Sequence, residues 1–209
     1  MSISSRYSLI AAIFIMLILA SGQIGFAFTL ADSEDDFSNV QGQDNWYYGF
    51  YDGDSESPFT NDPYNDDFEQ LDIFANDVWQ LAPIGNYWTF VASNWGHPSG
   101  TSASRVDVLH WSVRRYISEA DGLVNIEGIL AKRDPSCGNG IIGHIFIDGE
   151  EVYSQYIEYN DTLGVEYSID VPVSKGSVID FAIDPRASNE LCDSTTFTVV
   201  IGPVCNNKK

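Results

Sequence analysis

Val165-Glu166-Tyr167-Ser168-Ile169-Asp170-Val171-Pro172-Val173 alternates apolar and polar residues without a break. A period of two puts Val165, Tyr167, Ile169, Val171 and Val173 on one face, the pattern of a strand buried on one side. The flanking sequence repeats it. Val152 to Ile157 precedes the stretch across the turn residues 160–164, and Val178 to Ile183 follows it across Ser174-Lys175-Gly176. Further candidate strands are Tyr87 to Ala92, Val108 to Ser118, Leu123 to Lys132, Ile141 to Ile147 and Thr196 to Ile201. Asp148-Gly149 is a tight hairpin signal, and Gly, Asp and Asn punctuate the other connections. Short strands at even spacing specify an all-β antiparallel sandwich and exclude enzymes of the βαβ kind. Ile141, Ile145 and Ile147 share one face of their strand while Ile142 and Phe146 share the other, so this strand is expected to be covered on both sides. From Phe68 to Leu81, apolar spacings of three and four suit a helix. Asn76-Asp77 interrupts them, however, and Val78-Trp79 reads as strand, so strand is favoured.

The N-terminus places Arg6 before an apolar run from Leu9 to Ala20 and the small residues Ser21, Gly22, Gly25 and Ala27. That order is a secretory signal, and the run is shorter than the roughly 20 residues needed to span a bilayer. The expected organisation is a cleaved signal peptide over 1–27, a flexible acidic lead-in over 28–44 and a β-sandwich over 45–205, with no stable membrane span after cleavage. Thirty acidic residues against ten basic ones leave a net charge of −20. No basic stripe is available to neutralise phosphates, which argues against nucleic acid as partner. Such a surface serves solubility outside the cell, or supplies oxygen ligands to a hard cation such as calcium. The oligomeric state is not legible.

If successive strands run antiparallel, the loops after Lys132, Ile157 and Ile183 gather at one rim, together with the loop before Val108. Cys137 and Cys192 then share that rim, whereas Cys205 is separated from Cys192 by a strand about 20 Å long. Bridged Cα atoms lie within about 7 Å, so Cys137 pairs with Cys192, a closure that chain entropy values at about 4 kcal/mol. Cys205 is left over. The same rim collects Asp134, Asp161, Asp184 and Asp193, with Asn139, Asn189 and Glu190 near them. These four aspartates are candidates for a structural calcium, set against the alternative of solvated loops that use their carboxylates in turns. No cofactor is otherwise required. Asn160-Asp161-Thr162 is a lone glycosylation sequon in a turn.

Trp46, Tyr47, Tyr48, Phe50 and Tyr51 form the densest aromatic cluster. Alternation sets Trp46, Tyr48 and Phe50 apart from Tyr47 and Tyr51, and one set is core. In Val113-Arg114-Arg115-Tyr116, Arg115 shares a face with Trp111, Val113 and Ile117, which suits pairing with a buried carboxylate. His110, Arg114 and Tyr116 share the opposite face. That face is expected to be exposed and to form a glycan-contacting stripe, helped by Trp95 and His97 on the adjoining loop. Flat rings cover the C–H faces of a sugar, and fixed donors meet its hydroxyls or a uronate carboxylate. No Gly-x-Ser-x-Gly, His-Glu-x-x-His or phosphate-cradling glycine loop is present, which speaks against an enzyme.

Gln41-Gly42 with Trp46-Tyr47-Tyr48-Gly49, His97-Pro98, Val113-Arg114-Arg115-Tyr116, and Ile179-Asp180-Phe181-Ala182-Ile183-Asp184-Pro185 with Asp193-Ser194-Thr195 together resemble a jelly-roll domain of secreted microbial proteins. Such domains are carbohydrate-binding-like and often stand beside polysaccharide-degrading modules; the resemblance spans Val40 to Ile201. It implies a secreted or cell-surface, non-catalytic sandwich that binds an extracellular polysaccharide or cell-envelope glycan. The alternative is an extracellular structural or matrix protein without sugar binding, in which Cys205 serves assembly.

Overall fold

The computed structural model describes residues 29–52, 68–83, 85–101, 108–186 and 189–204. The leader at 1–27 and Cys205 lie outside the described residues. The strands in chain order are β1 (Ala31–Asp32), β2 (Trp46–Asp52), β3 (Phe68–Gln70), β4 (Ile73–Ala75), β5 (Val78–Gln80), β6 (Phe90–Val91), β7 (Trp95–His97), β8 (His110–Ile117), β9 (Gly122–Lys132), β10 (Ile141–Ile147), β11 (Glu150–Ile157), β12 (Val165–Val173), β13 (Val178–Asp184), β14 (Thr195–Phe197) and β15 (Val200–Pro203). Among the described residues the helical content is one 3-10 turn at Gln43–Asn45, and no helix is long and apolar enough to cross a membrane.

Two antiparallel sheets make a β-sandwich. The larger has the order β1-β15-β9-β14-β7-β6-β5-β4, with β12 on the other edge of β9, and the smaller has the order β11-β10-β13-β8-β2-β3. β12 pairs along its whole length with β9, from Val165 opposite Leu130 to Val173 opposite Gly122. Its alternation is obeyed: Tyr167, Val171 and Val173 are buried, while Glu166, Ser168, Asp170 and Pro172 are exposed. The hairpin at Asp148-Gly149 has positive φ at both residues (51° and 85°), the turn geometry that matches strand twist. Asn76-Asp77 makes the same kind of turn, with φ of 54° and 60°, so the ambiguous stretch resolves into the short hairpin β4–β5.

Between the sheets lies one core that includes Trp46, Tyr48 and Phe50 from β2, Ile126 and Leu130 from β9, Ile141 and Ile145 from β10, and Phe181 from β13. A second buried cluster of Tyr51, Trp111, Val113, Phe146 and Ala182 sits on the opposite face of the smaller sheet. Ile142 and Phe146 therefore face away from the inner core, and the strand β10 has apolar residues on both faces for this reason.

Two corrections to the sequence reading concern the edges. The expected lead-in over 28–44 is, from Leu30 on, part of the sandwich: Leu30 donates its N–H to Ile201 O at 2.7 Å, Ala31 pairs with Ile201, and Ala31 is buried. Gln41 then clamps the start of β2, accepting from Tyr48 N and donating to the Tyr48 and Leu71 carbonyls. The sandwich thus begins by Leu30, because β15 would otherwise expose an unpaired edge. The last strand is likewise two strands. Thr198 breaks it by exchanging bonds with Ile129, its N–H to Ile129 O and its hydroxyl accepting from Ile129 N, each at 3.0 Å. At this crossing a Cβ on Gly128 would overlap the Thr198 carbonyl, so only glycine fits.

Candidate functional site

His110, Ser112, Arg114 and Tyr116 do share one face of β8, but it is the inner one. The register with β2 sets Trp46 opposite Tyr116, Tyr48 opposite Arg114 and Phe50 opposite Ser112, so the aromatic bulk of β2 draws this face into the sandwich. Tyr116 packs on Trp46 with ring centres 5.0 Å apart, and His110 packs on Phe50 at 4.3 Å. The His110 imidazole Nδ1 lies 3.0 Å from the Thr89 hydroxyl. Arg114 crosses to the larger sheet. Its Nη1 donates to Phe197 O at 2.7 Å, and its Nη2 donates to Ala92 O at 2.6 Å and Ser93 O at 2.8 Å. Burial lowers its pKa, and carbonyl oxygens take the place of water around the charge. An exposed stripe of His110, Arg114 and Tyr116 is therefore ruled out: the three are 6%, 4% and 3% exposed.

Arg115 points the other way and forms a bidentate pair with Asp180, Nε to Oδ1 at 2.7 Å and Nη2 to Oδ2 at 2.8 Å. Tyr51 donates its hydroxyl to the same carboxylate, and burial followed by the Asp180 charge pushes the Tyr51 pKa well up. The Phe68 ring lies 3.9 Å beneath the guanidinium. Further along this face Trp111, His144 and Phe146 stack in a row, at 4.8 Å and 5.6 Å, and His144 Nδ1 meets Glu151 at 2.6 Å. The pairing expected of Arg115 is what this face contains.

At the rim, Cys137 and Cys192 are bridged, with Cα atoms 5.5 Å apart. The four rim aspartates are not brought to one point. Asp134 accepts from Ser136, Asp161 caps the turn at Leu163 and Gly164, and Asp184 accepts from Arg186 N. Asp193 pairs with Lys132 at 2.6 Å, both side chains fully buried. Among the described residues no group of three or more His, Cys, Asp or Glu is arranged to hold a metal ion.

Among the described residues an aromatic surface lies on the outer face of the larger sheet, at the β6–β7 hairpin. Trp88 and Phe90 precede the turn, Trp95 and His97 follow it, and alternation directs all four outward while Thr89, Val91 and Gly96 turn in. Phe90 meets Trp95 edge to face at 4.6 Å, and Trp88 stacks on His97 at 5.3 Å. Trp88, Phe90 and Trp95 are half-buried, whereas His97 is buried and its Nδ1 lies 2.6 Å from Pro98 O. The exposed Arg133 sets its guanidinium over the Trp95 ring at 4.7 Å. Of the ligand set expected from sequence, this surface contains Trp95 and His97. Trp88, Phe90 and Arg133 were missed, although Trp88-x-Phe90 and Trp95-x-His97 flanking Ser93-Asn94 is a period-two hairpin signal.

No protein-family model and no curated protein matches the chain. Among solved structures it is similar to the CBM51 module of a Clostridium perfringens GH95 protein in complex with methyl-galactose, at 10% identity and a TM-score of 0.32, covering 51% of this chain and 78% of that one. It is also similar to tandem CBM51 modules of the family 98 glycoside hydrolase from Streptococcus pneumoniae SP3-BS71, at 17% identity and 0.34, covering 54% and 38%. The enzymatically active domain of bacteriophage CBA120 tailspike protein 4 matches at 16% and 0.34, covering 80% and 21%. The resemblance is to carbohydrate-binding-module-like β-sandwiches, and at this level it carries no argument about ligand or residues.

The buried rim pair has a pH signature. Burial pushes the Asp193 carboxyl up to about 7 against the pull of Lys132, and burial lowers Lys132. In the unfolded chain an Asp titrates near 3.9. Between those values the fold holds a proton that the open chain has released, so this group's contribution to stability falls as pH rises. Relative to the double variant Lys132→Met/Asp193→Leu, the wild type is expected to lose roughly 1 kcal/mol or more in urea titrations between about pH 4 and pH 7. A pH-independent difference contradicts this.

Proposed function

We propose that the protein is a secreted, non-catalytic glycan-binding β-sandwich whose contact surface is the outer face of the larger sheet around Trp95. The observation that carries this reading is the half-buried group Trp88, Phe90 and Trp95, the last two held on paired strands and the group flanked by Arg133. Rings fixed in this way offer apolar faces to sugar C–H groups without losing much side-chain freedom on binding. The guanidinium and the indole N–H supply donors for hydroxyls. The leader-like N-terminus, the acidic composition and the Cys137–Cys192 bridge all fit an extracellular setting. The absence of a recognisable nucleophile or phosphate-binding motif in the sequence fits a binding role.

Affinity electrophoresis against a panel of soluble polysaccharides tests the reading. The wild type is expected to be retarded by at least one of them, and Trp95→Ala to weaken that retardation about tenfold, the equivalent of one well-placed contact of about 1.4 kcal/mol. Trp111→Ala, on the other sheet's closed face, is expected to lower the melting temperature while leaving retardation of the folded protein unchanged. Absence of binding across the panel favours the structural or matrix role instead.

A further inference from the structure

We infer that the glycan contacted at Trp95 is acidic, its carboxylates being received by Arg133; this rests on the glycan-binding reading. Among the described residues there are six basic side chains, and four of them are committed. Arg114 is spent on carbonyls inside the core, Arg115 on Asp180, Lys132 on Asp193, and Arg186 on the Asn139 carbonyl and the Tyr156 ring. Arg133 differs. It is exposed, it lies over Trp95 at 4.7 Å, and it forms no ion pair among the described residues although the chain has 30 acidic residues against 10 basic ones. Its backbone is fixed, the N–H donating to Ser194 O at 2.8 Å at the end of β9. A guanidinium fork that is prealigned by stacking and not neutralised by the protein's own carboxylates matches a planar carboxylate on a sugar ring. Uronic-acid polymers combine that group with the C–H faces that Trp95 and Phe90 would cover. The repulsion between a −20 protein and a polyanion is screened beyond about 8 Å at physiological salt, whereas a contact at hydrogen-bond distance is not.

Three acidic polysaccharides, polygalacturonate, alginate and hyaluronate, each paired with its carboxyl-reduced neutral form, make the test. At about 0.15 M salt the wild type is expected to bind at least one acidic polymer roughly tenfold more tightly than its reduced form. Arg133→Ala should weaken binding to the acidic polymer more than to its reduced form and so remove that preference, and Arg133→Lys should restore part of it. If the wild type binds acidic and reduced forms equally, or Arg133→Ala keeps the preference, the carboxylate inference fails while glycan binding stands. If the wild type binds no polymer, acidic or neutral, both fail.

A different observation carries a second inference: the core holds one internal water between Arg114 and Ser112. A void of about 10 Å³ lies beside Val91, Gly96, Ser112, Arg114 and Phe181. Two buried polar atoms of the residues that line it, Arg114 Nε and Ser112 Oγ, have no hydrogen-bond partner. This volume is about the least that admits a water molecule, and an unpartnered donor and an unpartnered hydroxyl on the lining residues are the kind of partners such a molecule requires. A crystal structure at high resolution is expected to show a single density peak within about 3.2 Å of both atoms, and Ser112→Val to expel it. A well-resolved but empty void in the wild type overturns the inference.

Discussion

The Arg114 guanidinium holds the two sheets in their relation to each other. It leaves β8 in the smaller sheet and takes carbonyl oxygens from β14 and from the end of the β6 segment in the larger one. A charge in an apolar core is costly unless its donors are satisfied, and here backbone carbonyls satisfy three of them. The orientation of β8 follows. With Arg114 inward, His110 and Tyr116 must be inward too, and Trp111, Val113 and Arg115 must be outward, where Trp111 and Val113 build the second cluster with Tyr51, Phe146 and Ala182.

The same bond set reaches the candidate surface. Ala92 and Ser93, whose carbonyls receive Arg114, form the turn that leads to Trp95, and the Ala92 N–H is itself bound to Trp95 O at 2.8 Å. A two-stranded hairpin of two and three residues is marginal alone. Anchored from beneath by a buried cation, paired with β14 at Thr196 and stacked through Phe90, it becomes a fixed platform. Core charge and surface aromatics are thus parts of one device, and a change at Arg114 is felt at Trp95 without any direct role in binding.

Much of the fold was legible because it rests on local alternation. β10 and β12 have the bounds that the sequence pattern predicts, and the rim assignment that follows from antiparallel order brings Cys137 to Cys192. Arg115 was readable as a paired residue because an arginine among Trp111, Val113 and Ile117 needs a counter-charge. What alternation does not reveal is which of two mixed faces turns inward. On β8 both faces have apolar and polar members, both are buried, and the choice depends on the non-local register with β2. The β1 pairing at Ala31 was hidden for a similar reason, since its partner Ile201 is far away in sequence and two residues carry no periodicity. The aspartates of the rim illustrate a further limit: loops that share an end of a sandwich need not point their carboxylates at one another.

Equilibrium urea unfolding of Arg114→Met tests the central claim most directly, because methionine keeps much of the side-chain volume and removes the three bonds. Two buried carbonyls and one part-buried carbonyl left without donors cost about 1 kcal/mol or more each. The account predicts a loss of about 3 kcal/mol or more with the slope of the transition unchanged. Unaltered or increased stability would show that the sheets are held by apolar packing alone and would contradict it.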